Sequence, residues 1–295
     1  MTAPFIDVAE LDRLLAADGR GAGDRAGNLV IVDTRWYLDG RSGSKAYAAA
    51  HLPGAVFVDL DAWLAGQPSP AAGRHPLPEP RVFARGMSAV GIGDDSTVVV
   101  YDDAGGVIAA RLVWMLRALG HEAAVLDGGI AAWQRAHPGV ALETGPGGVR
   151  GVRDVRAASF TERAWPPSLL ATIDETQSAA ADGSALVLDA RTHDRYRGET
   201  EPVDARAGHI PGAESLSCRD NVAADGTLLA TDALRERLAA LGAANKPVIS
   251  YCGSGVTACH TLLVLEHAGF ASGRLYPGSW SQYAADPSRP VATAN

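Results

Sequence analysis

The sequence has few of several residue types that would mark whole classes of protein. It contains only 3 cysteines among 295 residues and no Cys-x-x-Cys pair, which excludes a disulfide-stapled scaffold. Only 2 of its 26 basic residues are lysines, and the formal net charge is −8. This charge disfavours a nucleic acid or an anionic membrane as a partner.

Long apolar runs are also missing. No run approaches the roughly 18 apolar residues that would indicate a membrane-spanning helix. The first residues lack the basic and apolar regions of a signal peptide, so we expect none. With so few cysteines, the sequence is typical of a protein of the reducing cytoplasm, and we expect a cytoplasmic localisation.

What remains is ordinary globular composition. Hydrophobic residues make up 47% of the chain and charged residues 20%, which excludes wholesale disorder. At about 150 residues per domain, a chain of this length suggests two domains.

An internal repeat indicates how the two domains arose. An apolar run ending in Asp-x-Arg occurs at residues 29–35 and again at 185–191. A nearly identical His-x-Pro-Gly-Ala segment follows at residues 50–55 and 208–213. Apolar runs of this length are typical of strands in a buried parallel sheet. The chain therefore reads as one pattern used twice.

The match continues through a further strand and helix in each half. The predicted strands cover residues 98–101 and 248–251, and the predicted helices run from Ile108 to Leu119 and from Thr257 to Ala268. Strand and helix alternate, so each half is predicted to be a small α/β domain with a mainly parallel sheet flanked by helices. We expect a domain at 1–140, a Gly- and Pro-rich linker at 141–159 and a second domain at 160–295.

The halves differ where the second predicted strand ends. The first half continues with Asp102, whereas the second continues with Cys252 and the loop Gly253-Ser254-Gly255-Val256-Thr257. Ligands of α/β folds bind at the carboxyl ends of parallel strands. Glycines allow successive N–H groups to surround an anion, and the following helix adds its positive N-terminal end. Both effects stabilise a thiolate, so Cys252 is predicted to be a nucleophile.

The other two cysteines carry no such context, and one rival chemistry is excluded. Cys259 falls inside the predicted helix and Cys218 has no motif, so both are expected in the core. A cysteine phosphatase needs an arginine six residues after its cysteine to bind an oxyanion. That position is Ala258 here.

The loop Cys252-Gly253-Ser254-Gly255-Val256-Thr257-Ala258 resembles the active-site loop of the mercaptopyruvate sulfurtransferases, within the tandem rhodanese family. The repeated Asp-x-Arg and His-x-Pro-Gly-Ala segments, the Gly278-Ser279-Trp280 triplet and the first half without a cysteine are similar to that family's pattern. The resemblance covers essentially the whole chain. It implies two tandem rhodanese-like domains, with the nucleophile in the second.

The resemblance also implies a reaction. The Cys252 thiolate takes sulfane sulfur from a small donor as a persulfide and passes it to an acceptor. Acceptors in the family include cyanide, small thiols and thioredoxin-like proteins. No metal or organic cofactor is expected, because the protein thiol carries the sulfur. A non-enzymatic alternative is a sulfur-relay or binding module that receives its sulfur from a partner.

Two kinds of donor are open, thiosulfate and 3-mercaptopyruvate. Thiosulfate-type enzymes carry a cationic Cys-Arg-Lys-Gly loop, whereas Gly253 and Ser254 are small and neutral, as in the mercaptopyruvate type. In that type the loop serine is thought to act with a histidine and an aspartate. The matching residues are His75 and Asp61, with Asp59 as an alternative carboxylate. A serine oriented by an imidazole and a carboxylate is a workable acid–base relay.

The arginines that bind the donor carboxylate match only in part. Arg195 corresponds to the first, and a guanidinium suits a carboxylate. The second belongs to a Glu-Pro-Arg triplet, but this chain has Val203 after Glu-Pro. The departure resembles the thiosulfate-type pattern, which also lacks that arginine. Arg197 or Arg206 are the candidates to compensate. We favour 3-mercaptopyruvate as the donor and keep thiosulfate as the alternative.

Overall fold

The computed structural model of the chain describes residues 2–20, 28–145 and 158–294, and it divides into two units. Unit 1 comprises Met1–Leu64, Pro78–Trp165 and Ala224–Leu228. Unit 2 comprises Ala65–Leu77, Pro166–Ala223 and Leu229–Asn295. Residues 65–77 thus cluster with unit 2 although they belong to the first half of the sequence. Most of the linker predicted at 141–159, residues 146–157, lies outside the described residues.

Unit 1 is built around a parallel sheet. Its strands are β1 (Phe5–Ile6), β2 (Leu29–Asp33), β3 (Val56–Phe57), β4 (Thr97–Tyr101) and β5 (Glu122–Leu126). They lie in the order β1-β5-β4-β2-β3, and each neighbouring pair is parallel. Its helices are α1 (Val8–Arg20), α2 (Gly43–Ala49), α3 (Pro80–Ala89), α4 (Ala109–Ala118) and α5 (Gly129–Ala136), with a π-helical turn at Leu60–Leu64.

Unit 2 repeats this plan with a parallel sheet of its own. Its strands are β6 (Leu186–Asp189), β7 (Glu214–Ser215), β8 (Val248–Tyr251) and β9 (Arg274–Leu275), in the order β7-β6-β8-β9. Its helices are α6 (Ile173–Asp182), α7 (His193–Arg197), α8 (Thr231–Ala240), α9 (Ala258–His267) and α10 (Ser279–Tyr283), with 3₁₀ turns at Pro167–Leu169 and Cys218–Asn221. The predicted α/β class, with one mainly parallel sheet per unit, is confirmed.

The central strands β4 and β8 are mainly apolar, apart from Thr97 and Ser250, because both faces of a parallel sheet are covered. Val98, Val99 and Val100 have no solvent exposure. The predicted helices are present as α4 and α9. Gly120 and Gly269 follow the ends of these helices and have φ angles of +86° and +82°, which is the left-handed region that favours glycine.

The repeated Asp-x-Arg motif is structural in both units. In unit 2, Arg191 Nη2 donates to Asp189 Oδ2 and to the carbonyl oxygen of Gly208, both at 2.6 Å. Arg35 pairs with Asp33 in the same way in unit 1. The side chains are almost fully buried, so each pair ties a strand end to the turn of the following His-x-Pro-Gly motif.

Candidate active site

The loop that follows β8 turns a backbone N–H group toward the thiol of Cys252. Gly255 has a φ of +78°, and its N–H donates to Cys252 Sγ at 3.1 Å. A Cβ built on Gly255 would lie 2.5 Å from the carbonyl oxygen of Pro277, so the backbone position excludes any larger residue without a shift. Glycine here lets the loop pass close to Pro277 while its N–H stabilises negative charge on the sulfur.

Helix α10 fixes the backbone of the same loop. Ser279 Oγ accepts a hydrogen bond from the N–H of Cys252 at 3.1 Å. The N–H groups of Trp280 and Ser281 donate to the carbonyl oxygens of Cys252 and Gly253, both at 2.9 Å. Both backbone polar groups of Cys252 are therefore bonded, which holds the thiol in place at the strand end.

The three cysteines are all free and buried, but only Cys252 lies on the loop. Burial raises the pKa of the Cys218 thiol to about 12, so this thiol stays protonated at neutral pH. Cys259 Sγ donates to the carbonyl oxygen of Gly255 at 3.4 Å, within the first turn of α9. The loop also contains Val256 and Thr257, which were predicted to bind the donor. Val256 is buried, and Thr257 lies immediately before α9.

A histidine from a distant part of the chain contacts the loop serine. His75 Nδ1 lies 2.7 Å from Ser254 Oγ, and the two side chains are separated by 179 residues in sequence. His75 is 9% exposed and Ser254 is 7% exposed, so the hydrogen bond is shielded from water. The serine and the histidine of the predicted relay are therefore in direct contact within unit 2.

The segment 65–77 is held against α10 by several contacts that position His75. The N–H of Arg74 donates to Ser281 Oγ at 3.0 Å, and Gln282 Nε2 donates to the carbonyl oxygen of Ala71 at 2.6 Å. Gly73 has a φ of +88°, and a Cβ built on it would lie 2.5 Å from the carbonyl oxygen of Gly278. The close approach of two backbones at Gly73 places His75 beside the loop.

Arg195, predicted to bind the donor, lies beside the loop on α7. Its Nη2 donates to Glu201 Oε1 at 2.6 Å and to Asp204 Oδ2 at 3.2 Å. Asp204 also forms an ion pair with Arg74. Burial raises the pKa of the Asp204 carboxyl above its usual range, and the neighbouring Arg74 and Arg195 oppose that rise. Arg74 and Asp204 were missed by the sequence reasoning, and adjacency to His75 was the one signal for Arg74.

The two arginines named as substitutes for a missing second arginine lie in other surroundings. Arg197 pairs with the exposed Glu199, with Nε 2.7 Å from Oε1. Arg206 donates to four backbone carbonyl oxygens, those of Tyr283, Ala284, Asp286 and Arg289. Arg206 is therefore engaged in holding the chain after α10, and the three atoms nearest to a Cβ built on Gly253 belong to Arg74 and Arg195.

The two candidate carboxylates belong to unit 1. Asp61 lies in the π-helical turn, where its Oδ2 accepts a hydrogen bond from Trp36 Nε1 at 3.2 Å. Asp59 precedes that turn, and its Oδ1 accepts the N–H of Ala62 at 3.0 Å. Asp59 thus helps to begin the turn that carries Asp61.

The described residues contain neither a metal-binding cluster nor a membrane-spanning helix. Within 2–20, 28–145 and 158–294, no group of three or more His, Cys, Asp or Glu side chains is arranged to hold a metal ion. Over the same ranges, none of the helices has both the length and the apolar character needed to cross a bilayer.

Comparison with known proteins gives a consistent picture. The family model described as Rhodanese-like domain matches residues 17–136 and 172–286. A probable 3-mercaptopyruvate sulfurtransferase of Pseudomonas aeruginosa is 42% identical over 294 residues, covering 96% of this chain and 99% of the relative. A putative thiosulfate sulfurtransferase of Mycobacterium tuberculosis is 40% identical over 275 residues, covering 90% of this chain and 92% of the relative.

A solved structure agrees with the observed architecture. The crystal structure of a 3-mercaptopyruvate sulfurtransferase from Escherichia coli superposes with a TM-score of 0.77 at 32% identity. The match covers 95% of this chain and 100% of that one.

Proposed function

The chain belongs to the rhodanese-like family, and on that premise we propose that it is a sulfurtransferase that moves sulfane sulfur from 3-mercaptopyruvate to a thiol or cyanide acceptor. The relatives that cover nearly the whole chain include a sulfurtransferase of each donor type. The observation that carries the choice of donor is the 2.7 Å contact between His75 Nδ1 and Ser254 Oγ. A keto-acid donor needs a proton at its reacting end, and thiosulfate does not.

The first half-reaction forms a persulfide on Cys252. The thiolate attacks the sulfur of 3-mercaptopyruvate, an S–S bond forms, and the C–S bond breaks. The electron pair of that bond passes into the enolate of pyruvate, which takes up a proton to become pyruvate. The Gly255 N–H, 3.1 Å from Sγ, stabilises the attacking thiolate and then the charged persulfide.

Ser254 and His75 supply the proton handling in this step. The serine hydroxyl donates a hydrogen bond to the keto oxygen as enolate charge develops, and the imidazole orients that hydroxyl and exchanges protons with it. Both side chains are buried, which strengthens these interactions. A supporting part for Asp61 stays a prediction; on that prediction, Asp61→Asn lowers kcat with 3-mercaptopyruvate.

The second half-reaction returns the free thiolate. An acceptor thiolate or cyanide attacks the outer sulfur of the persulfide, the S–S bond breaks, and its electron pair returns to Cys252 Sγ. The acceptor leaves as a persulfide or as thiocyanate. The protein sulfur carries the transferred atom throughout, so the reaction as proposed uses no metal or organic cofactor. A thioredoxin-like protein is a further proposed acceptor.

The proposed setting is the cytoplasm. All three cysteines are free, as expected in a reducing compartment, and the mechanism needs Cys252 as a thiol at the start of each cycle.

Thiosulfate is the second candidate donor. Val203 follows Glu-Pro where the resemblance leads us to expect an arginine, and one relative at 40% identity is named for thiosulfate. Thiosulfate would react at the same Cys252, releasing sulfite without any proton transfer.

Steady-state kinetics with both donors and cyanide test the proposal. We expect a higher kcat/KM with 3-mercaptopyruvate than with thiosulfate for the wild type and no turnover for Cys252→Ser. The matched control is Cys218→Ala, which removes a protonated thiol and keeps turnover. A much higher kcat/KM with thiosulfate would select the second candidate. Failure of both donors, with sulfur accepted only from a partner persulfide, would indicate a relay module.

A further inference from the structure

Two guanidinium groups lie beside the residue that follows the thiol. A Cβ built on Gly253 would lie 3.0 Å from Arg74 Nη2 and 3.5 Å from Arg195 Nη1. Arg74 comes from the segment 65–77 and Arg195 from α7, so two separate parts of unit 2 converge on the loop. Because Gly253 directly follows Cys252, both positive charges lie close to the sulfur-bearing residue.

The two arginines are held by one carboxylate. Asp204 Oδ1 accepts from Arg74 Nη1, and Asp204 Oδ2 accepts from Arg195 Nη2 at 3.2 Å. The Asp204 side chain is 5% exposed and so forms a fixed bridge. Arg74 Nη2 and Arg195 Nη1, the atoms that face Gly253, donate to no side chain or backbone group in the described part of the chain. One N–H edge of each guanidinium is thus directed at the loop.

Arg74 differs from the structural arginines of the same unit. The Arg191 side chain is 1% exposed and bound on several sides, and Arg206 donates to four backbone carbonyls. Arg74 forms an ion pair with Asp204, and its side chain is 28% exposed. An arginine with a structural role donates most of its N–H groups to other groups of the protein, whereas part of the Arg74 guanidinium stays accessible.

We propose that Arg74 is the second anion-binding residue of the site and that it joins Arg195 in binding the carboxylate of the sulfur donor. Each guanidinium supplies an N–H from its loop-facing edge, and charge-assisted hydrogen bonds of this kind are the strong ones. Asp204 is a positioning residue that sets the spacing of the pair. The inference rests on the proposed function, because it assigns a residue to the same donor site.

The test compares two alkylating reagents of nearly equal size at Cys252. Iodoacetate carries a carboxylate and iodoacetamide is neutral, so the ratio of their rate constants measures anion recruitment beside the thiol. Rates are measured for the wild type, Arg74→Gln and Arg195→Gln, with alkylation of Cys252→Ser subtracted. Arg235→Gln is the matched control, since it removes an equal charge from an exposed pair with Asp232 on α8. The KM for 3-mercaptopyruvate is measured in parallel.

We expect Arg74→Gln to lower the iodoacetate-to-iodoacetamide ratio about tenfold and to raise the donor KM about tenfold. Arg195→Gln also lowers the ratio and raises the KM, whereas Arg235→Gln leaves both the ratio and the KM unchanged. The loss of a positive charge near the thiolate lowers both alkylation rates by the same factor and cancels in the ratio, so the iodoacetamide rate of Arg74→Gln is the internal reference. A purely structural role for Arg74 would change both reagents equally and would overturn the inference.

A second variant covers the case in which Arg74→Gln does not fold. Gly253→Ala keeps both arginines and the charge, but its methyl group displaces the flexible end of Arg74, so the ratio is expected to fall about threefold. An unchanged ratio in Gly253→Ala would overturn the inference. If 3-mercaptopyruvate is not turned over but the ratio still falls in Arg74→Gln, the arginine pair stands and the proposed donor fails.

Discussion

Asp102 and Cys252 occupy corresponding positions in the two units, but they accept hydrogen bonds from the N–H groups of their loops in different ways. Each directly follows a central strand, β4 or β8, and each is followed by a buried helix, α4 or α9. The Asp102 carboxylate accepts four backbone N–H groups at 2.8–2.9 Å, those of Ala104, Gly106, Ile108 and Ala109. In unit 1 a carboxylate therefore fills the N–H-lined loop, whereas in unit 2 the loop N–H of Gly255 bonds to sulfur.

This relationship predicts that Asp102 stabilises unit 1. Asp102→Asn keeps the shape, but its NH₂ group faces two N–H donors that lose their acceptor. We expect a loss of about 3 kcal/mol of unfolding free energy, because buried N–H groups are left unsatisfied. Urea unfolding followed by circular dichroism measures it. Asp103→Asn, at an exposed neighbouring position, is the matched control and should change stability by less than about 1 kcal/mol. Equal midpoints for the two variants would refute this account.

Gly255 is predicted to be required for both stability and activity. Gly255→Ala places a residue with a side chain at a φ of +78° and its Cβ against the carbonyl oxygen of Pro277. Gly269→Ala is the matched control, since its φ is +82° but no atom lies within 4 Å of its Cβ. The control should lose about 1–2 kcal/mol and Gly255→Ala a further 1–3 kcal/mol or so, together with most of its kcat. Equal losses would show that Pro277 exerts no steric constraint.

The contact between His75 and Ser254 predicts an effect that depends on the donor. We expect Ser254→Ala and His75→Gln each to lower kcat with 3-mercaptopyruvate by about 10²-fold or more, because the enolate loses its proton relay. With thiosulfate, kcat should stay within about threefold of wild type, since sulfite leaves without a proton. Parallel assays with the two donors measure the split. A loss of the same size with both donors would point to a disturbed loop rather than a relay.

Stability is predicted to fall in mild acid because of His260. Burial lowers the pKa of this imidazole in α9 to about 3. In the unfolded chain a histidine has a pKa of about 6.5, so the unfolded state binds the proton first as the pH falls. Stability is therefore fully present above about pH 6.5 and is lost progressively below it. Between about pH 7.5 and about pH 5 the loss from this residue is about 2 kcal/mol.

The control for this prediction is His260→Gln, whose side chain does not titrate. Urea midpoints of the two proteins are compared across the same pH range. His260→Gln should show a shallower fall in stability toward acid, whatever its absolute stability. Parallel pH profiles would contradict the assignment.

The strands β2, β4, β6 and β8 could be predicted from the sequence, and the very short strands could not. β4 and β8 are mainly apolar because both of their faces are buried, and that property is visible in the local sequence. β3, β7 and β9 have two residues each, too few for any periodicity. They form because a neighbouring strand offers backbone partners, which is a property of the folded unit.

The residues of the site also differ in whether the sequence could predict them. Cys252 could be singled out because its glycine loop and flanking strand are adjacent in sequence. The place of Arg74 beside Gly253 depends on the segment 65–77 packing against α10, and the residues involved are about 180 positions apart in sequence. Gly73, whose backbone passes against Gly278, does not add a usable signal to the adjacency of Arg74 and His75, because a glycine alone does not identify its neighbour.

The central claim is that Cys252 carries the transferred sulfur. The most direct test is mass spectrometry of the peptide containing Cys252 after the protein is exposed to 3-mercaptopyruvate without an acceptor. We predict a gain of about 32 Da on Cys252, removed on adding cyanide, with no gain on Cys218 or Cys259. A peptide of unchanged mass in a preparation that nevertheless turns over the donor would contradict the persulfide mechanism.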